Sequence, residues 1–311
     1  MTAASEAQAR SDGGAEAAPA VGWRARFWRN EELRGLALIS PTFLYALLLL
    51  LAPVLVIVAF SFWTQNYLEI DHTPTLANYR EAWSDPLYRV LMFRSLAVSA
   101  LVTLITLILA YPMAYFLSFH ITRHKALWLF LITIPFWTSY LLRVFAWKII
   151  LGYNGAVNAT LMELGVIEAP MEFLLYNVNS VVITLAHAWA PFAILPIFVS
   201  LEKIDRSLLE AATDLGDGPV MRFLRVTLPL SLPGIIAAAL IVFIPTVGDY
   251  VTPRLVGGKD GLMISNMIQV QFGKANNWPL GAALAVSTMV IVTAASLCFV
   301  GVMRQLGSRF R

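Results

Sequence analysis

The chain has 311 residues, 59% of them hydrophobic and only 13% charged, with a formal net charge of +3 at pH 7. An average soluble domain carries about 25% charged residues, so this is not the composition of a water-exposed surface. The single cysteine, Cys298, excludes an internal disulfide framework and a cysteine-based metal site, and the small net charge gives no nucleic-acid signal.

Residues 1–22 are rich in Ala, Gly, Ser and Glu and have no apolar period. They predict a disordered tail, 1–30, without the h-region of a signal peptide. Six apolar blocks follow, at 36–63, 95–119, 127–151, 180–201, 235–256 and 281–303. Roughly 20 residues at 1.5 Å each cross a ~30 Å hydrocarbon core, so each block is long enough to span a membrane. The expectation is an all-α polytopic membrane protein with six transmembrane helices in a domain covering 31–311. The fourth block is the least regular, because His187, Trp189, Pro191 and Pro196 interrupt it.

Lys and Arg orient the spans. Fourteen of the 22 lie on one side: before the first span, between spans two and three, between four and five, and at the C-terminal end. Six lie on the other side, and Arg143 and Lys148 fall within span three. Both termini are therefore expected in the cytoplasm.

The cytoplasmic loop 202–232 reads EKIDRSLLEAATDLGDGPVMRFLRVTLPLSL. Asp205 or Ser207 suits the N-cap of a helix over 208–215, and Gly216 suits its end because it accepts positive φ. Asp217-Gly218-Pro219 predicts a turn, with Pro219 opening a second short helix. Pro229 and Pro233 are expected to stop that helix before span five. Ala211 and Ala212 leave one face open to close approach. On the residues alone, a plain helical connector and a docking element both fit.

The spacing Glu210-Ala211-Ala212, Gly216, Val226, Leu228-Pro229 resembles the loop signature of ABC importer permeases, with Val226 where Ile is usual. The resemblance implies a coupling loop that docks a separate ATPase through Glu210, Ala211, Ala212, Gly216, Val226, Leu228 and Pro229. The chain itself contains no G-x-x-x-x-G-K-[ST]. It is thus expected not to be an enzyme and to hold no cofactor; ATP and Mg belong to the ATP-binding subunit, in two copies.

Over residues 36–303 the chain resembles the spermidine/putrescine class of permeases. The residues that carry this include Asn78-Tyr79-Arg80, Tyr111-Pro112-Met113-Ala114-Tyr115, Pro135 through Trp147, Gly155-Ala156-Val157-Asn158, Pro191 through Pro196, Gly248-Asp249-Tyr250-Val251, Gly257-Gly258 and Asn277-Trp278-Pro279. The resemblance implies a type I (MetI-like) importer fold in the bacterial inner membrane. It also implies a second, related permease forming a heterodimer, a periplasmic substrate-binding protein, and polyamine import by alternating access. Related permeases move opines, amino-acid derivatives, phosphonates, thiamine or iron, so another solute is the alternative. At Asp217-Gly218 the loop departs from the usual Ala-Ser, which bears on the ATPase it meets.

Three ionisable residues fall within spans: Arg143, Lys148 and Asp249. A charge at a span centre costs about 2.5–3.5 kcal/mol on insertion scales, so such groups usually face protein or water. Trp137, Tyr140, Arg143, Asp249 and Tyr250 form the candidate substrate path. Carboxylates and aromatic faces are what a polycation needs. Arg143 is a candidate partner for Asp249 or for a carboxylate of the partner subunit. The competing reading is that Arg143 and Lys148 snorkel to headgroups, Asp249 marks the end of its span and the tryptophans form an interfacial belt. His120 and His124, at i and i+4, have no third ligand nearby, so no metal is expected. Gly281 and Ala285 form a small-xxx-small pair suited to packing against another helix, such as one of the partner permease. A secondary transporter would need an inverted repeat, and an intramembrane enzyme would need H-E-x-x-H or G-x-S-x-G; neither pattern is present.

Overall fold

In a computed structural model, residues 31–308 are described, apart from Leu68 and Leu175. The expected tail, 1–30, therefore lies outside the described residues. The chain divides into two compact units, 1–56 and 57–311.

In chain order the helices are α1 (Glu31–Ser61), α2 (Ala77–Ser84), α3 (Pro86–Phe119), α4 (Lys125–Trp137), α5 (Tyr140–Ile150) and α6 (Ala156–Glu163). They continue with α7 (Val178–Glu202), α8 (Arg206–Asp214), α9 (Pro219–Arg222), α10 (Leu228–Gly248), α11 (Val251–Val256), α12 (Ile264–Phe272) and α13 (Trp278–Ser308). One antiparallel hairpin, β1 (Thr64–Asn66) with β2 (Glu69–Asp71), adds a small strand element to the helical fold. Five helices are long and apolar enough to span a membrane, and a bent pair makes a sixth, among the described residues.

The core of the second unit is made by α3, α7 and α10. Small side chains at Ala110, Ala114, Ala193 and Ala238 let these helices approach closely. The tightest crossing is at Gly234, where a Cβ would sit 2.5 Å from the Ser200 Cβ. Several hydroxyls within the spans back-bond to the preceding turn, as in Thr106 to the Val102 carbonyl and Thr246 to the Val242 carbonyl. The fourth block, irregular in sequence, forms the unbroken helix α7, and it is the most buried of the spans among the described residues. Its prolines are tolerated because α3 and α10 cover it.

The third expected span, 127–151, is not one straight helix. It is α4 and α5, bent by 83°. Pro135 has no N–H to continue the ladder, and the Thr138 hydroxyl donates to the Pro135 carbonyl at 2.7 Å. Thr138 and Ser139 then take extended ψ values of 149° and 133°. The fifth expected span, 235–256, also breaks. Helix α10 ends at Gly248, and Asp249 opens the short α11.

Pro229 and Pro233 do not stop the helix that Pro219 opens; helical backbone runs unbroken over Pro219–Gly248. A π turn, Phe223–Thr227, makes this possible. Its closing bond runs from the Leu228 amide to the Phe223 carbonyl, five residues back. Pro229 follows directly on that turn and has no N–H to give to the helix. Gly281 packs closely against another helix of the chain itself: a Cβ there would meet Gln271 and Phe272 of α12 at 3.2 Å.

Candidate functional site

The loop 202–232 folds into a helix, a cap and a return. Asp205 is the N-cap of α8, and its carboxylate accepts from the Ser207 amide at 3.0 Å. That amide bond holds the Asp205 carboxyl below its ordinary range. At the other end, the Gly216 amide donates to the Thr213 carbonyl and the Asp217 amide to the Ala212 carbonyl. This is a Schellman closure, and Gly216 takes the positive φ of +89° that it requires.

Two arginines of the returning segment hold α8 and its cap in place. Arg222 donates to the Thr213 hydroxyl at 3.0 Å, and Arg225 pairs with Asp217 at 2.9 Å. Ala212 is buried on this inner side, while Glu210 and Ala211 are exposed. Glu210 borders a hollow of about 430 Å³ together with Tyr115, Phe119, Arg206 and Arg222. Leu215 is 88% exposed and Val220 70% exposed, an apolar tip that a soluble loop would hide. Val226 lies in the π turn, and Leu228 and Pro229 begin α10.

A second cluster sits at the two span breaks. The Tyr140 hydroxyl donates to Asp249 Oδ2 at 2.5 Å and lies 2.6 Å from the Thr252 hydroxyl. Asp249 Oδ1 accepts from the amide of Val251, the first residue of α11, at 2.9 Å. Ser265 and Asn266 of α12 donate to the carbonyls of Asp249 and Tyr250. Arg143 does not pair with Asp249, whose carboxylate instead takes the Tyr140 hydroxyl and the Val251 amide. Its guanidinium instead reaches the Ala188 carbonyl at 3.4 Å and lies 5.8 Å from the ring centres of Phe136 and Tyr140. The Arg143 Nε is buried with no hydrogen-bond partner.

A model of the family described as "binding-protein-dependent transport system inner membrane component" matches residues 75–311. The chain belongs to this family. It is 38% identical over 251 residues to the spermidine/putrescine transport system permease protein PotB of Haemophilus influenzae, covering 80% of this chain and 87% of that one. It is 37% identical over 249 residues to PotB of Escherichia coli K12, covering 80% and 90%. In structure it is similar to a chain of a bacterial ABC transporter involved in the import of the acidic polysaccharide alginate, with a TM-score of 0.69, 16% identity, and coverage of 90% of this chain and 99% of that chain. The fold is thus that of an ABC importer permease, and its place is the inner membrane.

In this inner membrane component the seven loop residues are spread over α8, its cap, the π turn and the start of α10. The five residues of the expected path do not gather in one place. Tyr140 and Asp249 meet, and Arg143 lies against Tyr140. Trp137 is 72% exposed and lies edge-on to Phe130. Tyr250 faces a different hollow, beside Ser265, Gln269 and Phe272. His187 packs edge-on to Trp147, and no metal-holding group of His, Cys, Asp or Glu exists among the described residues. Tyr111, named above only for the resemblance, also stands out in the structure. Its ring meets Phe223 of the π turn, and its hydroxyl lies 2.9 Å from the Ser231 hydroxyl beyond that turn. A tyrosine inside an apolar span, beside Pro112, was the available signal.

Proposed function

We propose that this chain is one of two permease subunits of an ATP-driven importer that passes polyamines from a periplasmic binding protein into the cytoplasm. Loop 202–232 and both termini lie on the cytoplasmic side, where two copies of a separate ATPase hold ATP and Mg. Two PotB relatives from spermidine/putrescine systems, matched over most of their length, carry the choice of solute. The lysines and arginines of the loops support the orientation.

The geometry supports docking at α8. A capped and stapled helix presents Glu210, Ala211 and the apolar tip at Leu215 and Val220 to another chain. Closure of the ATPase pair on ATP would move α8 and shift the spans between two arrangements, so that the path opens to one side and then the other. Tyr140, Asp249 and the nearby aromatic rings are the part of the path suited to an ammonium group.

The test is uptake of labelled spermidine into vesicles holding this chain, the second permease and the ATPase, with binding protein outside. Uptake that requires ATP and binding protein, and that putrescine competes away, is expected. An assembled, ATP-hydrolysing complex that ignores both polyamines would overturn the reading of the solute.

One observation favours a second reading. Arg143 has no carboxylate partner among the described residues, and an unpaired guanidinium suits a solute that carries a carboxylate. Competition of the same uptake by amino-acid derivatives rather than putrescine would select it.

A further inference from the structure

At the cytoplasmic ends of three helices the ammonium of Lys125 lies 2.6 Å from Glu202 Oε1 and 2.9 Å from the Ser118 carbonyl. The Ser118 hydroxyl donates to the same Glu202 oxygen at 2.9 Å. Glu202 is the last residue of α7 and stands just ahead of α8; Lys125 is the first residue of α4; Ser118 lies in the last turn of α3. The clasp is partly exposed, with side-chain exposures of 25% and 36% for Lys125 and Glu202. Exposed ion pairs of this kind add little stability, about 0–1 kcal/mol. Its importance lies in what it joins.

Helix α4 has no buried residue; only Leu129 and Ile132 lean on the core. Its 13 residues make a rod of about 20 Å, held by the clasp at one end, by Leu129 and Ile132 along its length, and near the other end by Phe136, whose ring centre lies 4.7 Å from that of Phe192 in α7. One end is Lys125 in the clasp. The other is the 83° bend at Thr138–Ser139, beyond which Tyr140 bonds Asp249 at the break of the fifth span. A continuous series of contacts thus runs from the start of the coupling loop, through Lys125 and along α4, to both span breaks.

We propose that Lys125 and Glu202 are positioning residues for transport: their contact transmits movement of α8 through α4 to the paired breaks at Thr138–Ser139 and Asp249. This rests on the reading of loop 202–232 as the ATPase dock.

The experiment uses the complete complex in lipid vesicles, with spermidine as the solute. This chain carries Cys298→Ser and Thr138→Cys, so that a membrane-impermeant maleimide reports on the bend. With the native clasp, ATP changes the labelling rate. Lys125→Met and Glu202→Gln each remove most of that change and lower uptake about tenfold, a size typical of site-to-site coupling. The exchanged pair Lys125→Glu with Glu202→Lys restores most of both. Single variants that label and transport like the native pair overturn the proposal. So does an exchanged pair that stays as defective as the singles, in transport or in assembly, because the clasp would then be only structural. Labelling of the native complex that ignores ATP also overturns it. Absent spermidine uptake beside ATP-dependent labelling removes only the polyamine reading.

Discussion

Tyr140 and Asp249 lie 109 positions apart, yet each stands at the break of a membrane span, and a hydrogen bond of 2.5 Å joins them. The bond ties α5 to α11, so the distal halves of two spans are held as one piece. Tyr140→Phe leaves one Asp249 oxygen without its donor, and the chain in detergent should lose about 1–3 kcal/mol of stability. Asp249→Asn keeps the acceptor for the Val251 amide and should fold better than Asp249→Ala. Its uptake should nonetheless fall; unchanged uptake by an assembled Asp249→Asn complex would remove this carboxylate from the path.

Gly216 has open space around it, so only its φ of +89° resists a side chain. Gly216→Ala should cost about 1–2 kcal/mol at the end of α8, with Gly216→Asn milder. Hydrogen exchange of the Leu215 and Asp217 amides measures the opening of the cap. Equal protection in all three chains would refute it.

Leu215 should matter to the complex and hardly at all to the chain alone. At 88% exposure, Leu215→Ala should leave the melting of the isolated chain within about 0.5 kcal/mol. Association with the ATPase should weaken by about 1.5–3 kcal/mol if docking covers the side chain fully. Co-purification at graded salt checks this, and undiminished capture of the ATPase would place the contact elsewhere.

The Asp205 cap carries a pH signature. Its carboxyl is held below the ordinary range by the Ser207 amide, so the folded pKa is lower than the unfolded one. The stabilisation is complete above the unfolded value and is lost as pH falls through the folded value. Acidification below the usual carboxylate range should fray the first turn of α8, read as faster exchange at Ser207. Asp205→Ser keeps a cap acceptor but should lose the pH dependence. Fraying of both chains at the same pH would contradict the assignment.

Much of this architecture is legible in the residues because membrane spans depend on local composition. Gly216 and Asp205 could be placed as caps for the same reason. What was not legible depends on contacts remote in sequence. Pro135 and Gly248 sit in apolar runs, and only the structure reveals that their helices stop and resume at an angle. The pairing of Asp249 is another case. Arg143 was the obvious counter-charge, yet a neutral hydroxyl occupies the carboxylate. Pro229 misled because its position relative to a π turn has no signature in a sequence.

That π turn carries a consequence for how the loop can change. A π turn holds one residue more than a regular helix of the same rise, and one residue is about 100° of rotation. Loss of a single residue within Phe223–Thr227 would leave an ordinary helix, with α8 and α10 facing as before. The same loss inside α10 would turn every later side chain to a new face. The nine residues that separate Gly216 from Val226 therefore include slack, and a chain one residue shorter at this point, but nowhere later in the helix, should still bring its dock and its fifth span into alignment.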